Sequence, residues 1–500
     1  MPSAPLKIVH IAATPIGAPW MVALMCEQKR LGHEVAAILP SEGGIAAQLA
    51  SHGISFHVAD VDVLFALPTV FQKAAALLRL ARLLRRLRPD IVHSHIFNSV
   101  VTARLASWLA DVPLHIGGNV HPFSLESDVL RPIEVGTAFC DGVTVASTSY
   151  TRELMVRHGI PANKIALIFY AVDQRRHDPA LADGSRVRNE LGIAADTPVV
   201  GKIAYFYPPA KNGAILTTPL KGRGIKGHEV LIRASRLVLD EFPRAKFLLV
   251  GRGWGSDGLE YEQALKKLTE DLGVSDSIIF TGERQDIPDL LAAFDVAVQC
   301  SLCDNLGGTV EALFMAKPLV ASDIGGFADT VQNERTGLAV PADQPRAFAE
   351  AIIRLLRDRD FAHSLGEAGR RHVVERFSLS RTVADYERLF AAKRRAVERH
   401  YRLRATVIRT FWLPFRLLPV WAGIYRGLRS QGVSPFRFTL GRLRRPPHPR
   451  VADRGAGSPR PIPPDARRHS ERNDVVRDRS DDHRSATDRG VRPDRHLRCD

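Results

Sequence analysis

The sequence predicts an α/β protein with two doubly wound parallel-sheet domains that face a central cleft. Short apolar runs alternate with helical patterns, as in the strand KIVHIAA and the helix MVALMCEQKRLG. A second series of the same kind begins with PVVGKIAYF, after a connector at residues 174–198. Strands that alternate with helices favour parallel sheets covered on both faces. We therefore expect a ligand to bind in the crevice outside the carboxyl ends of the strands.

The individual elements follow from the spacing of apolar residues and from the chain breakers. In the first series, the predicted strands are KIVHIAA, HEVAAILP, IVHSH, PLHIGGN, GVTVAST and KIALIFYAV. The arginine-rich helix at residues 71–88 stops at Pro89, because a proline ring cannot continue a helix. In the second series, the predicted strands are PVVGKIAYF, AKFLLVGRG, SIIFTGE, DVAVQCS and PLVASD. We place the two domains at residues 1–178 and 179–392.

Composition indicates an intracellular protein with substantial cores. The hydrophobic fraction is 45%, and the five cysteines form no regular framework, which is typical of a reducing compartment. Cys300 and Cys303 form a lone CxxC, which we interpret as small apolar residues at a strand end rather than a metal or redox site. The first residues predict a buried strand and not a secretion signal. We expect no membrane-spanning helix, because no uncharged apolar run reaches roughly 18 residues.

The positive charge of the chain is concentrated near the C-terminus. The net charge is +15, yet residues 1–392 sum to −1. Residues 393–445 hold 14 Lys and Arg against Glu398 alone, and residues 446–500 add a net +3. Residues 446–500 lack aromatic residues and are rich in Arg, Asp and Pro, which predicts a disordered tail.

The segment at residues 393–445 predicts an irregular basic extension that docks on an anionic membrane surface. Arginines alternate there with Phe411, Trp412, Phe415 and Trp421, a pattern that suits the membrane interface. Nucleic acid would use the same charge, but no recognition fold accompanies it, so we expect no nucleic-acid partner. For the helix at residues 71–88, we favour amphipathic packing with solvated arginines. The expected location is cytoplasmic, peripheral on the inner face of the cell membrane.

The stretch CDNLGGTVE is the main candidate site. Asp304 and Glu311 lie on either side of Gly307 and Gly308, just before an apolar helix. One interpretation is a plain helix N-terminus, where acidic residues complement the macrodipole. The other is a ligand site, because glycines allow close backbone approach, free N–H groups bind anions, and carboxylates accept hydrogen bonds from hydroxyls.

Two further turns could bind phosphate. Gly17 lies in the turn after the first strand, and Lys226 lies just before a helix in RGIKGHEVLI. The run LLVGRGWG resembles the start of a dinucleotide fingerprint but lacks its full glycine placement. We interpret it as a backbone turn that lines a nucleotide pocket. Asp60 and Asp62 match an Asp-x-Asp metal pair only formally, so we predict no metal site.

Three histidines follow or lie within predicted strands. His93 and His95 share one strand face, which is compatible with packing or hydrogen bonding as well as with a site. His121 follows GGN in a loop at the carboxyl end of a strand. That position suits a group that positions a hydroxyl or transfers a proton.

Several of these motifs together resemble those of the family-4 retaining glycosyltransferases. The matching motifs are PIGA, DIVHSH, GIKGHEVLIRA and DNLGGTVEALFMAKPLVASDIGGFADTV. The domain junction TVASTSYTRELMVRHGIPANKIALIFYAVD and the closing helices ERFSLSRTVADYERLF are also similar, so the resemblance covers roughly residues 6–392. It implies a GT-B fold, in which two Rossmann-like domains face a cleft. Residues 1–178 would bind the acceptor, and residues 179–392 the nucleotide sugar.

The resemblance also implies a reaction. A sugar would pass from a nucleotide-diphosphate sugar to a hydroxyl of a glycan or glycolipid acceptor, with retention and with neither metal nor cofactor. His121 and Asp304 would contact the reacting sugar, and Glu311 would hold the ribose of the nucleotide. The implied donor-binding residues are Gly17, Lys226, Asn305, Gly307, Gly308 and Glu311.

The chain departs from the family pattern at three places. The acidic pair contains one Asp and is one position closer than the two glutamates of the family. Ala204 and Tyr205 align where the family has Gly-Arg, and an insertion precedes Lys226. Three basic residues are candidates to supply the missing phosphate charge: Lys202, Lys221 and Arg223.

Three alternatives stay open at this point. A nucleotide-sugar epimerase shares the fold, and a shared fold does not decide function. An NAD-dependent oxidoreductase is disfavoured by the incomplete glycine fingerprint. A non-catalytic scaffold that docks through its basic C-terminus is compatible with the loss of the family's arginine.

Overall fold

The computed structural model describes residues 5–63, 67–119, 122–209 and 222–406. Within those ranges the chain forms two parallel β-sheets, each covered by helices on both faces. Several sequence predictions lie outside the described residues, namely His121, Lys221, residues 407–445 of the basic segment and the tail at 446–500. Among the described helices, none is both long and apolar enough to cross a membrane.

The first sheet has seven strands in the order β3-β2-β1-β4-β5-β6-β7. Its strands are β1 (Lys7–Ala12), β2 (Glu34–Leu39), β3 (Ser55–Val58), β4 (Ile91–His95), β5 (Leu114–Asn119), β6 (Val143–Ala146) and β7 (Ile165–Leu167). Its helices are α1 (Pro19–Arg30), α2 (Gly44–Ser51), α3 (Val70–Leu87), α4 (Phe97–Ala110), α5 (Phe123–Glu126), α6 (Arg131–Thr137) and α7 (Ser149–Arg157). The order reverses between β1 and β4, so a crevice opens at their carboxyl ends.

The second sheet has six strands in the order β10-β9-β8-β11-β12-β13. Its strands are β8 (Val199–Ile203), β9 (Lys246–Val250), β10 (Ile278–Gly282), β11 (Val296–Gln299), β12 (Leu319–Ser322) and β13 (Leu338–Val340). The helices that follow the first domain are α8 (Gly184–Glu190), α9 (His228–Leu239), α10 (Gly255–Asp271), α11 (Ile287–Ala293), α12 (Thr309–Phe314), α13 (Pro345–Arg357), α14 (Arg359–Phe377) and α15 (Leu379–Thr406). The predicted α/β fold with two doubly wound domains is confirmed.

The degree of burial explains why some strands could be predicted from the sequence and others could not. The central strands are almost completely buried, as expected for a parallel sheet covered on both faces, and they read as continuous apolar runs. The short edge strands β3 and β13 were not predicted. Three or four residues at a sheet edge carry too little periodicity to stand out from a loop.

Helix α3 packs as the sequence predicted. Its N-terminus is closed by a capping box between Thr69 and Gln72, and it ends at Arg88, which adopts a left-handed conformation before Pro89. Its buried face is Ala76, Leu80, Ala81 and Leu84. Its arginines are exposed, so the charged face is solvated.

The last helix, α15, returns to the first domain. Five of its side chains join the core beside β1, β4, β5 and β6: Leu379, Val383, Tyr386, Phe390 and Val397. Glu387 lies 3.1 Å from Nε2 of His33, a residue of the first domain. The domain boundary predicted from sequence placed residues 379–392 in the second domain. An amphipathic pattern shows that a helix has a buried face, but it does not show which sheet that face packs against. Residues 393–406, predicted to be irregular, continue this helix.

A buried ion network supports the helices behind β4 and β5. Nη2 of Arg104 lies 2.7 Å from Oδ2 of Asp141 and 2.8 Å from Oε1 of Glu134, with all three side chains excluded from solvent. Nδ1 of His115 lies 2.7 Å from the other oxygen of Asp141. Burial alone would raise the pKa of Asp141, but Arg104 and His115 hold it below its usual value. The network therefore joins α4, α6 and β5 through charges that depend on one another.

We expect Arg104→Met to destabilise the protein by about 3–5 kcal/mol, because it leaves two carboxylates buried without their cation. Chemical denaturation followed by circular dichroism measures the loss.

Arg79→Met is the matched control. Nη2 of Arg79 lies 2.8 Å from Oδ2 of Asp60, but the arginine side chain is 61% exposed. The control should change stability by no more than about 1 kcal/mol. Equal losses in the two variants would contradict a special role for the buried network.

Candidate functional site

The candidate site lies where the strand order of the second sheet reverses. Strands β8 and β11 are neighbours there, and the loop that follows β11 carries the sequence CDNLGGTVE. The segment that leads into α9 carries Lys226 to the same edge. Parallel strands end at one edge of a sheet, so residues far apart in the chain meet there.

Asp304 and Lys226 form a largely buried ion pair at this edge. Nζ of Lys226 lies 2.6 Å from Oδ2 of Asp304, which also accepts a hydrogen bond of 2.9 Å from the Ser301 hydroxyl. Burial lowers the pKa of Lys226, but the pairing with Asp304 outweighs it and the net shift is upward. The ammonium group therefore stays charged. It has three N–H donors, of which the contact with Asp304 uses one.

Two glycines fit the turn closely against this pair. Gly307 has a left-handed φ of 49°, and a Cβ there would lie 3.0 Å from Oδ2 of Asp304. A Cβ at Gly308 would lie 2.6 Å from Nε2 of Gln299 on β11. Helix α12 begins directly after them at Thr309. Larger residues at these positions would push against Asp304 and Gln299. Close approach of this backbone to a ligand stays a prediction.

Glu311 holds a buried carboxylate oxygen without a partner. Its Oε2 is excluded from solvent and makes no hydrogen bond within the described part of the chain. Burial raises its pKa from the usual 4.5 to about 7, Asp304 acts in the same direction, and Lys226 opposes it. An unsatisfied buried acceptor is costly, and native proteins keep few of them. The group is therefore a strong candidate for a ligand contact.

Gly17 lies at the mouth of the first domain, between β1 and α1. It has a left-handed φ of 74°, and a Cβ there would meet no atom within 4 Å. The next residue, Ala18, is also left-handed and forms the N-cap of α1. The glycine therefore serves the backbone conformation, and the space in front of it is open.

His121 lies outside the described residues, between β5 and α5. The helix that follows it does contact the candidate loop. Glu126 accepts a hydrogen bond of 2.7 Å from the Tyr150 hydroxyl, and its other oxygen lies 3.1 Å from Sγ of Cys303, the residue before Asp304. Helix α5 therefore ends beside the Asp304 loop.

The side chain of Asn305 joins the two domains. Its Oδ1 accepts hydrogen bonds from the hydroxyls of Thr148 at 2.7 Å and Thr151 at 3.3 Å, and its Nδ2 lies 2.5 Å from Oγ of Ser147. It is buried, with only 2% of its surface exposed. A direct contact between this side chain and a donor stays a prediction, and it would require these bonds to exchange.

The residues proposed to replace the family's arginine are largely committed elsewhere. Lys202 is fully buried in β8, with Nζ 3.4 Å from Oε1 of Gln299, and burial lowers its pKa. Arg223 makes a bidentate pair with Asp343, at 2.7 and 2.5 Å. Lys221, the third candidate, lies outside the described residues.

Aromatic side chains occupy the position where the family has Gly-Arg. The rings of Tyr205 and Trp254 meet edge to face with centroids 5.0 Å apart, and Trp254 lies 5.5 Å from the ring of Tyr207. The Tyr205 hydroxyl donates a hydrogen bond of 3.0 Å to Glu283, and Nζ of Lys226 lies 5.8 Å from the centroid of Tyr207. Sequence reasoning had noted Tyr205 only as a departure from the family. The run YFY at residues 205–207 was the available signal in the sequence, whereas its contact with Trp254 depends on the bridge between Phe206 and Gly253.

The other glycines near the site allow close packing of backbone segments, and the two cysteines are buried beside them. A Cβ at Gly251 would lie 2.2 Å from the carbonyl oxygen of Ala204, and one at Gly253 would collide with the start of α10. Cys300 and Cys303 are buried free thiols, and burial raises the pKa of each. The sulfur of Cys300 lies 2.9 Å from the carbonyl oxygen of Gly227.

Comparisons with protein families match both halves of the chain. Residues 18–171 match the family described as "Glycosyl transferase 4-like domain", and residues 220–372 match "Glycosyl transferases group 1". The chain belongs to the family-4-type glycosyltransferases. The predicted family is confirmed.

Known proteins similar to this glycosyltransferase share its fold. D-inositol 3-phosphate glycosyltransferase of Nocardia farcinica is 27% identical over 292 residues, which cover 55% of this chain and 61% of that protein, less than two thirds of its length. UDP-Gal:alpha-D-GlcNAc-diphosphoundecaprenol alpha-1,3-galactosyltransferase of Escherichia coli is 23% identical over 404 residues, 77% of this chain and 96% of that protein. The crystal structure of Anabaena HepE in complex with UDP and glucose has a TM-score of 0.66 at 19% identity, covering 77% of this chain and 99% of that chain. The predicted GT-B fold is confirmed.

We expect Glu311→Gln to stabilise the protein at pH 8 and to have little effect at pH 5. The folded state holds a proton on Glu311 up to pH about 7, whereas an unfolded carboxyl releases it near 4.5. Stability therefore falls as the pH rises between those values, by up to about 1.4 kcal/mol per pH unit. Removing the ionisable group should recover about 2–3 kcal/mol at pH 8, measured by chemical denaturation.

Glu350→Gln, at an exposed position on α13, is the control and should change stability by less than about 0.5 kcal/mol at either pH. A gain for Glu311→Gln that is the same at pH 5 and pH 8 would show that burial of the charge is not its cause.

Proposed function

We propose that this glycosyltransferase moves a sugar from a nucleotide-diphosphate sugar to an acceptor hydroxyl, with retention of configuration and without a divalent metal. The observation that carries the proposal is the buried oxygen of Glu311 that lacks a partner beside the Lys226–Asp304 ion pair. A hydroxyl-binding acceptor and a phosphate-binding cation at one sheet edge fit the two polar parts of a nucleotide diphosphate.

The donor would lie across the second domain. Glu311 would accept hydrogen bonds from the ribose hydroxyls, and Lys226 would neutralise the diphosphate while Asp304 holds its ammonium in place. The backbone at Gly307 and Gly308 would approach the phosphates closely. The side chains of Tyr205 and Trp254 offer flat apolar surface to the remainder of the nucleotide.

Transfer would proceed on one face of the sugar. The bond from the anomeric carbon to the diphosphate oxygen breaks, the acceptor oxygen bonds to the same face, and the leaving phosphate takes the acceptor proton. Negative charge grows on the leaving diphosphate, so Lys226 and the backbone donors at Gly307 and Gly308 would stabilise the transition state more than the ground state. His121 would contact the sugar near the acceptor.

The acceptor we propose is a glycan or lipid-linked glycan of the cell surface. The name of the Escherichia coli relative specifies a diphosphoundecaprenol acceptor, which supports this class. An enzyme that uses such an acceptor must reach a membrane surface, and residues 393–445 supply a concentration of positive charge. We therefore propose a peripheral position on the cytoplasmic face of the membrane.

The first test is thermal stabilisation by UDP-, GDP-, ADP- and dTDP-sugars with EDTA present. One nucleotide class should stabilise the wild type, because a ligand at 100 times its Kd adds about 2.7 kcal/mol. Lys226→Met should weaken donor affinity by about 10- to 100-fold, the value of a charged hydrogen bond. Each variant is compared with its own ligand-free melting temperature, since the substitution also leaves Asp304 unpaired.

Lys267→Met, which removes a surface lysine paired with Asp271 on α10, is the matched control and should bind donor normally. Slow hydrolysis of the donor, followed by NMR of the anomeric proton, reports the stereochemistry, and the first sugar released should keep its configuration. Release of an epimerised sugar, or binding that requires added metal, would contradict the proposal.

Membrane docking is tested with vesicles of stated composition. The full chain should bind vesicles with 30% phosphatidylglycerol and not vesicles of pure phosphatidylcholine. Replacing Arg409, Arg416 and Arg426 together by Gln should weaken binding by about 100-fold, since each basic residue near an anionic surface contributes about 1 kcal/mol.

The matched control replaces three arginines of the tail by Gln: Arg467, Arg468 and Arg472. The tail is nearly balanced in charge and lacks aromatic residues, so its binding should not change. Equal losses in the two triple variants would mean that non-specific charge, and not the segment at residues 393–445, attracts the vesicles.

A further inference from the structure

Three buried histidines meet inside the first domain, outside the donor site. His10 lies on β1, and His93 and His95 lie on β4, and each is at most 1% exposed. One ring nitrogen of each lies within 4.8 Å of the corresponding nitrogens of the other two. Nδ1 of His10 is 2.8 Å from Nε2 of His95. Strand pairing creates the cluster, because His10 is the direct partner of His93 in the register of β1 and β4.

One nitrogen of the cluster lacks a partner. Nδ1 of His93 is buried and makes no hydrogen bond within the described ranges. Its other nitrogen, Nε2, is 3.3 Å from the Tyr386 hydroxyl on α15. A buried imidazole nitrogen that has no hydrogen-bond partner carries the desolvation cost of a polar group. A ligand that accepts its lone pair would remove that cost.

The second ring nitrogen of His10, Nε2, has a hydrogen-bond partner, as is usual for a metal-binding histidine. Nε2 of His10 lies 2.8 Å from Oε1 of Gln28 on α1. An N–H donated to that carbonyl places the lone pair of His10 on Nδ1, which points at the cluster. Histidines that bind metals almost always donate their second N–H to a carboxylate, carbonyl or water in this way.

A small cavity beside the cluster has room for one further ligand. Its volume is about 20 Å³, and of the three histidines only His95 lines it, together with residues that include Gly118, Trp20 and Tyr386. A cavity of this size holds one water molecule. Three imidazoles and one water are a ligand set of tetrahedral zinc.

We propose that His10, His93 and His95 form a buried site for a divalent transition metal of the zinc class, with water as the fourth ligand. The site has no acidic or thiolate ligand, which disfavours Ca²⁺ and Mg²⁺. Zinc–nitrogen bonds of about 2.0–2.1 Å require ligand nitrogens roughly 3.3 Å apart. The nitrogens of the cluster lie within 4.8 Å of one another, so the rings would have to shift to bind the metal.

The protonation states of the cluster suit a metal. Burial lowers the pKa of His10 to about 4 and those of His93 and His95 well below their usual value, and the neighbouring imidazoles add to the effect for His93 and His95. The rings are therefore neutral at physiological pH, and a metal does not have to displace protons from cationic imidazolium groups. The contact with Tyr386 means that the metal would also stabilise the docking of α15 on the first sheet.

The test uses Co²⁺ as a spectroscopic probe in the full-length protein after removal of bound metal by a chelator. The wild type should bind one equivalent and show the strong visible absorption of four-coordinate Co²⁺, and equimolar Zn²⁺ should abolish it. Surface histidines give weakly absorbing six-coordinate complexes, so they do not imitate this signal. Zn²⁺ should also raise the melting temperature of the metal-free protein.

Two variants assign the site. His93→Gln should weaken binding by more than about 100-fold, and Gln28→Leu, which removes only the partner of His10, by about 10- to 100-fold. His57→Gln, on edge strand β3, is the matched control and should retain the spectrum.

A wild type that shows no four-coordinate spectrum overturns the proposal, whatever the variants do. A spectrum that persists unchanged in His93→Gln, or in a folded Gln28→Leu protein, overturns it as well. Of the proposed donor-binding residues only Gly17 lies in the first domain, and the cobalt spectrum does not report on sugar transfer, so the result is independent of the proposed transfer reaction.

Discussion

The buried ion pair between Lys226 and Asp304 is the interaction on which the proposed donor site depends. Neither charge would be stable at this depth alone, because the desolvation of an unpaired ion costs several kcal/mol. Together they hold the segment before α9 against the loop after β11, two parts of the chain that are 78 residues apart. Gly307 and Gly308 then allow the backbone to lie against Asp304, and Glu311 follows one turn later with an oxygen that no described residue satisfies.

The two sheets are connected by more than a linker. The side chain of Asn305, the neighbour of Asp304, makes hydrogen bonds to Ser147, Thr148 and Thr151 of the first domain. Helix α15 crosses back and completes the core beside β1 and β4. The loop that carries Asp304 and Asn305 is therefore positioned by contacts with both domains. A change in the packing between the domains would alter the positions of Asp304 and Lys226.

Two clusters of polar groups lie in the interior of the first domain. Arg104 and its carboxylates form a structural ion network, in which Oε2 of Glu134 has no partner among the described residues. The cluster of His10, His93 and His95 is incompletely satisfied, with one nitrogen left without a partner. Buried polar atoms require hydrogen-bond partners. This requirement accounts for the ion network and is the reason to expect a ligand at the histidine cluster.

The sequence by itself determined the two α/β units, most strands, the packing of α3 and the resemblance to a glycosyltransferase family. The pattern of apolar residues and the glycines at turns are local signals that can be read directly from the sequence. Burial requires the apolar pattern in every covered parallel sheet. The acidic pair Asp304 and Glu311 could be singled out for the same reason, since the glycines between them mark a close turn. Only the tertiary structure decided which sheet α15 covers, that Asn305 turns toward the first domain, and that His10 meets His93 and His95. These three features depend on strand register or on packing between segments that are distant in the chain. The type of a single residue, apolar or polar, does not indicate which distant residue it will contact.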